Sequence, residues 1–368
     1  MRFLLFMSKL FTLSFFLFFY STSLFAQDTI RTYYDLEETL LREVYVLVNG
    51  KAEGEVKRFS VDGELTQIGF LKNNQKNGLF ISFDPETGDT LKITPFVNDK
   101  RSGKAFVYYE DGKLRQENTF IEDEIVGEVV TYYPSGKIAD LTIFEKNKPD
   151  GPTISYFESG NIKTKGAFKE GKYDGLFEEY YESGNLASST IYTLGVLDGR
   201  ETRYFPSGEV QSNRDYKNGL LDGVYELNYP SGKPERRGNY KKGAPEGEML
   251  EYHENGNLRA RAFFRKSILS EPTEKFYPSG KIKQRTFYNE EGILISESNF
   301  YEDGQLNFKT NYLNDKAEGE VKIYSIDGNL EEIRNYKAGK LHGTRQYFNE
   351  SGELIKTENY DKGEKRDK

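Results

Sequence analysis

The chain contains no cysteine and no tryptophan, and only two of its 368 residues are histidine. Without thiols there is no disulfide, no cysteine nucleophile and no cysteine-ligated zinc. His253 and His342 cannot furnish a histidine-rich metal site, and a histidine-dependent triad would have to use one of the two. Positive charge is also in deficit, with 51 Lys and Arg against 59 Asp and Glu. What the chain has in quantity is 27 Tyr, 27 Phe and 35 Gly. An aromatic share of 15% beside 30% charged residues describes a folded chain, because a disordered one of this length is depleted in rings.

The first 26 residues stand apart. Arg2 and Lys9 are their only charges, Leu10 to Tyr20 is an apolar run rich in phenylalanine, and Ser21 to Ala26 precedes the polar Gln27-Asp28. This order reads as a secretory signal peptide over residues 1–26. The run is shorter than the about 20 apolar residues of a membrane anchor. Removing Arg2 and Lys9 and no acid leaves 49 basic against 59 acidic residues, a formal charge of −10. That balance disfavours nucleic acid and anionic membranes, both of which draw on clustered Lys and Arg. The expected location is the periplasm, the cell envelope or the medium.

Beyond this segment one unit recurs. Glycines stand at 54, 78, 103, 127, 151, 175, 199, 223 and 247, and again at 319 and 343, a period of 24 with a single 25. With each of these boundary positions taken as zero, a second glycine falls at position nine, as in Gly112, Gly136, Gly160 and Gly184. Glu271 and Ile295 take the boundary place in two units, which gives 13 units from Gly54 onward. Such a period marks a repeat architecture. Most glycine is therefore punctuation, phosphate-loop readings lose their force, and no cofactor is expected.

Rings keep the same phase. Position five holds Phe59, Tyr132, Tyr156, Tyr180 and Tyr204 among others, with Asn228 the exception, and position 17 holds Phe120, Phe168, Tyr192 and Tyr216. Short ring-rich segments such as Leu176 to Tyr181, bounded by glycines, read as strands. Pro134-Ser135-Gly136 and its equivalents make tight hairpin turns, since proline presets a negative φ and glycine supplies a positive one. Asn74, Asp123, Asn147, Gly171 and Gly195, at position 20, tolerate the left-handed region and close a second turn. Each unit is then two antiparallel strands. The expected fold is all-β, an elongated antiparallel β-meander of about 26 strands. Residues 27–53 read as a degenerate half unit that caps the array over 54–368. Between 264 and 300, Ser267 and Glu291 break the closing-turn rule, and a bend, a longer loop or a register change is expected there.

This pattern resembles the MORN-repeat variant and is similar to bacterial repeat proteins of the YwqK antitoxin type. The units Gly151 to Asp174 and Gly175 to Asp198, with Tyr156-Phe157-Glu158-Ser159-Gly160 and Tyr180-Tyr181-Glu182-Ser183-Gly184, carry the resemblance most closely. It implies an elongated hairpin array, and relatives labelled as antitoxins or membrane-binding proteins, with no reaction and no catalytic residue. An export signal would separate this chain from a cytosolic toxin.

The residues leave several functions to weigh. In a strand, positions five and six point to opposite faces. The fifth-position column, with the ring at 17, is expected to form the packed face. Tyr109, Tyr133, Phe157, Tyr181, Phe205, Tyr229, Tyr277 and Tyr301, at position six, would then form a ladder on the other. Such a ladder either stabilises a thin sheet through cross-strand pairs, at about 0.2–1 kcal/mol each, or offers a stacking platform to a glycan or an extended peptide. His253 falls in the same column and reads as a stacked or exposed strand residue; His342 reads as a solvated loop residue. Acids before the boundary, Asp150, Asp174, Asp198, Asp222, Glu246 and Glu318, would line one sheet edge, a weak calcium edge at most. The leading function is an exported non-enzymatic scaffold that binds a protein or a cell-envelope polymer. Its alternatives are an antitoxin-like or immunity-like binder and a glycan-acting enzyme with paired carboxylates within 264–300. No metal or catalytic residue is assigned.

Overall fold

The computed structural model describes residues 27–366. The expected signal peptide, residues 1–26, lies outside the described residues. The described residues form 33 strand segments and no helix. The chain divides into two compact units, Met1–Gly112 and Lys113–Lys368. Within each, consecutive strands pair antiparallel as a meander of hairpins. Four segments, such as Lys172–Tyr173, are two residues long and belong to the same hairpin arm as the strand that follows them. With these joined, the 13 units supply the expected 26 arms, preceded by two further arms and followed by Glu364–Arg366.

Those two preceding arms correct one expectation. Gln27–Tyr33 pairs with Leu41–Val48, which pairs in turn with Lys51–Phe59. Residues 27–53 therefore carry a whole hairpin and not a half unit. Tyr33-Tyr34 occupies the ring-pair slot, and its connecting loop lacks the second glycine, which hid it in the sequence. Asn49 and Gly50, at φ 53° and 76°, make its closing turn.

The unit beginning at Gly151 shows how the period becomes structure. Gly151 faces Phe168, Thr153 faces Gly166 and Ser155 faces Thr164; the register then slips so that Tyr156 faces Ile162. The loop after it is closed by Phe157 N–H donating to the Asn161 carbonyl at 2.8 Å and Gly160 N–H to the Phe157 carbonyl at 2.8 Å. Gly160 has φ 100°, the conformation that glycine accepts without a Cβ clash. The closing turn, Glu170-Gly171, has φ 53° and 81°. Two positive φ values define the hairpin turn whose twist matches that of the flanking strands. Position 19 holds unexpected residues in that conformation, Leu194 at 48° among them.

The alternation of strands sorts the columns into two faces. Positions two, four, 13, 15 and 17 share one face: Phe177 meets the Tyr192 ring at 6.4 Å and Phe80 meets Phe96 at 5.1 Å. Position five lies on the other, where the Tyr132 hydroxyl donates to Glu117 and the Tyr180 hydroxyl to Glu178, each at 3.0 Å. The ring columns at five and 17 are thus on opposite faces and do not build one packed layer. Position 17 pairs with position zero, so it shares a side with two and 15, while five is odd with respect to both.

The deepest stripe runs along positions two and 15. Val56, Phe80, Ala105, Val129 and Val321 are buried at the former, and Thr94, Thr142, Thr190, Thr286 and Thr310 at the latter. Much of this stripe is hydroxylic. Buried hydroxyls need partners, and the Thr142 and Thr153 hydroxyls bond each other at 2.7 Å. At three junctions a large residue at position two stands over a glycine eleven places earlier: Phe80 covers Gly69, Phe177 covers Gly166 and Met249 covers Gly238. A Cβ at these glycines would stand 2.3 Å, 2.4 Å and 2.0 Å from the covering side chain. A knob on one repeat thus fills a hole on the preceding one, giving the thin sheet the interlocking contacts of a packed interior.

Candidate functional site

All eight sixth-position rings, Tyr109, Tyr133, Phe157, Tyr181, Phe205, Tyr229, Tyr277 and Tyr301, are half-buried, and none is exposed. In five of them the hydroxyl reaches a backbone carbonyl 23 residues on, in the next repeat: Tyr133 to Tyr156 and Tyr181 to Tyr204 at 2.7 Å, Tyr229 to Tyr252 and Tyr277 to Phe300 at 2.8 Å, and Tyr301 to Tyr324 at 2.9 Å. Burial pushes the Tyr301 hydroxyl above the usual tyrosine range, so it remains a donor. Tyr34 makes the same bond to the Phe59 carbonyl at 2.8 Å. Phe157 and Phe205 have no hydroxyl to contribute. The Lys163 ammonium stands 5.9 Å from the Phe157 ring centre and that of Lys283 5.5 Å from Tyr277, within cation–π range. The column therefore staples repeat to repeat and leaves part of each ring at the surface.

His253 extends this role, its Nε2 lying 3.2 Å from the Phe276 carbonyl in the tyrosine's place. His342 is a strand residue, half-buried, with Nδ1 3.3 Å from the Asp361 carboxylate, and not a loop residue. A second row of links joins the first turns: Asn161, Asn185 and Asn257 donate to the Glu182, Pro206 and Pro278 carbonyls at 2.7–2.9 Å.

The acids before the boundary are fixed in a way their spacing did not reveal. Asp150 accepts the Glu170 N–H at 3.1 Å, Asp174 that of Leu194 at 3.0 Å, and Asp198 that of Asn218 at 3.2 Å. Asp222, Glu246 and Glu318 accept in the same way from Lys242, Lys266 and Ala338. Each carboxylate satisfies the first amide of its own closing turn, which the left-handed backbone turns toward it. Among the described residues, no group of three or more His, Asp or Glu stands together to hold a metal.

Three buried carboxylates elsewhere are paired with arginine, and Glu358 with Lys356 and Lys365. Glu201 is held by Arg203 and Arg214, and Glu332 by Arg334 and Arg345. In the irregular segment, Glu274 accepts from Arg261 at 2.5 Å and Arg285 at 2.9 Å. Burial raises its pKa, but the two guanidinium groups outweigh that and hold the carboxyl below the usual glutamate range. Glu274 is ionised at neutral pH, an acceptor and not a proton donor. Within 264–300 the hairpins depart from the pattern of the others. Lys266 and Ser267 keep the left-handed turn, at φ 52° and 67°, Thr273–Phe276 is shortened to four residues, and a longer loop over 289–293 replaces the two-residue closing turn. There the Asn289 side chain accepts from the Glu291 and Ile293 amides at 3.0 and 2.8 Å.

Hairpins recurring at a near-constant spacing, many stapled to their neighbours through backbone carbonyls, define a β-hairpin repeat scaffold. The chain matches the MORN repeat variant in eleven stretches between residues 101 and 362, from 101–122 and 125–145 to 317–338 and 341–362. It belongs to that family. No curated protein matches the sequence. Among solved structures, it is similar at 13% identity to a chain of the TcdB2-TccC3-Cdc42 crystal structure, covering 88% of this chain and 22% of that one, with a TM-score of 0.16. A Tc holotoxin pore of Photorhabdus luminescens gives 11% identity over 87% of this chain and 20% of that one, at the same TM-score. The chain spans about a fifth of the length of these proteins, and at such scores the likeness carries no argument about function.

Proposed function

We propose that the protein is an exported, non-enzymatic scaffold that binds a partner protein or a cell-envelope polymer along the surface of its hairpin sheet. One observation carries this reading: the polar groups that recur in phase are engaged inside the array. Tyrosine hydroxyls, His253 and the boundary acids hold repeat to repeat or turn to strand. What recurs at the surface is ring edges and faces, side-chain stems and exposed aliphatics such as Leu176, Ile191, Val196 and Leu220, the material of a recognition surface. Export rests on the charge and apolar order of residues 1–26.

The test is capture from envelope extracts, alongside a polysaccharide-binding screen, with the purified chain and a series shortened by whole 24-residue units. Distributed recognition makes affinity fall stepwise with length. Abolition of all binding by one point substitution, with the fold intact, or turnover of any substrate that ends when one carboxylate is neutralised, would overturn the reading.

A further inference from the structure

At the Ala262 junction the slot that a ring fills elsewhere stands open. Eleven residues after Gly69 and Gly166 the chain supplies Phe80 and Phe177, but eleven residues after Ala262 it supplies Thr273. Alanine faces threonine across the junction between repeats, and both are half-buried. A cavity of about 400 Å³ opens over the pair, with Met249 as the remaining part of its floor. That volume falls within the range of ligand sites, about 300–1,000 Å³.

The strand register gives this cavity two unlike ends. Met249 faces Ala262 in the middle row. Two residues along in one direction the row is apolar, with Tyr240 opposite Pro245 and Phe264 opposite Leu269. Two residues the other way it is charged, with Arg236 opposite Glu251 and Ala260 opposite Lys275. Arg236 is bound to Glu251 at 2.8 Å. Lys275 is exposed and has no ion-pair partner among the described residues. Successive rows on one face are about 7 Å apart. The site thus presents an apolar slot and, about one row away, an uncompensated cation.

We propose that this cavity is the anchor point of the partner: it takes one aromatic side chain of a polypeptide, with a carboxylate within two residues of it on Lys275. The ring is the group the array itself places in this slot in other repeats, and the carboxylate is what the lone ammonium lacks. A ring seated over Ala262 and Thr273 would be enclosed by the cavity's apolar row, the usual basis of an interface anchor. The proposal rests on the scaffold reading above and names where that scaffold grips.

The molecule carries a suitable reporter. Its three methionines are Met1, Met7 and Met249, so Met249 is the single one beyond the first 26 residues, and it lies on the cavity floor. Full-length protein with methyl-labelled methionine would be titrated with a blocked Gly-Phe-Gly-Asp-Gly peptide, with the same peptide carrying Ala for Phe, and with Lys for Asp. The expected result is a saturable shift of the Met249 methyl signal with the first, at an affinity at least about tenfold above either control. The double variant A262G/T273F rebuilds the Gly166–Phe177 arrangement and closes the slot with the chain's own ring; the shift should vanish. Because a repacked variant can fail to fold, K275E provides an independent check and should invert the preference toward the Lys peptide.

Equal shifts from all three peptides, an unmoved Met249 signal, or a full response in the plugged variant would overturn the proposal. Phenylpropionate binding as well as the peptide would overturn the polypeptide as occupant. If the peptides fail while the length series still shows stepwise capture, the scaffold reading stands without this anchor; if capture fails and the peptide shift is saturable and lost on plugging, the anchor stands as a local site.

Discussion

Substituting Gly69 by alanine tests the interlocking stripe directly. Gly69 has ordinary strand geometry, outside the positive-φ residues, so the added methyl meets no backbone strain and reports only on space. Its Cβ would stand 2.3, 2.4 and 2.6 Å from three atoms of the Phe80 ring, against a comfortable carbon–carbon separation of about 3.5–4.0 Å. The ring must move by more than about 1 Å, and it is 2% exposed with Phe96 packed edge-on at 5.1 Å. Overpacking of this kind costs about 1–3 kcal/mol. Replacing a strand glycine returns about 0.5–1 kcal/mol of backbone entropy. The net loss is about 1–2 kcal/mol, a factor of about 5–30 in local opening. A repeat array opens locally, so hydrogen exchange of the Leu65–Lys72 and Gly78–Phe83 amides is the appropriate measurement, and a single global midpoint is not. The companion G69A/F80V should recover most of the loss. Gly238→Ala should cost less, because the obstacle there is the flexible Met249 thioether. Unchanged exchange in G69A, or no recovery in the double variant, would refute the knob-in-hole account.

Three further outcomes are expected. Tyr229→Phe removes the bond to the Tyr252 carbonyl and should cost about 1 kcal/mol, speeding exchange about fivefold in the two hairpins it joins and leaving distant repeats unchanged. Leu194→Gly relieves a left-handed leucine, a conformation costing roughly 1–2 kcal/mol outside glycine, and should slow exchange around the turn despite the loss of a side chain. Glu274 has a folded pKa below its unfolded value, so its stabilising contribution is complete above the unfolded pKa near about 4.3 and is lost as pH falls through the folded one. Urea unfolding followed from pH 7 to pH 3 should therefore show Glu274→Gln less stable at neutrality and flatter below about pH 4.5 than the parent.

The period, the two turn types and the hairpin count from Gly54 onward were legible because glycine, proline and aromatic residues mark them by kind. The inner stripe was not. Its members are Thr142, Thr153, Thr190 and Ala105 as often as valine or phenylalanine, and residues of middling polarity leave no hydropathy signal. Ring columns drew attention to positions five and 17, yet strand alternation sets these on opposite faces. The Tyr181 and Tyr229 hydroxyls bond to backbone, so no partner residue type recurs to reveal the link. The acids at Asp174 and Asp198 looked like an edge of free charge because the amides they cap are at residues 194 and 218, whose left-handed conformation depends on the turn and not on the side chain. The site at Ala262 was hidden for the opposite reason: it is an omission, visible only beside junctions such as Gly166 with Phe177, where a ring fills the slot.

The hydroxyl-to-carbonyl staple bears on how such a gene can change. Every residue carries a carbonyl, so a tyrosine at position six finds its acceptor whatever sequence follows it. A duplication or loss of one whole unit, the usual product of unequal recombination between near-identical stretches of DNA, brings together two hairpins that have never been neighbours. No compensating substitution is required for them to join. Length can therefore drift across generations while individual units diverge, and a slot left unfilled by one such event becomes raw material for a new specificity.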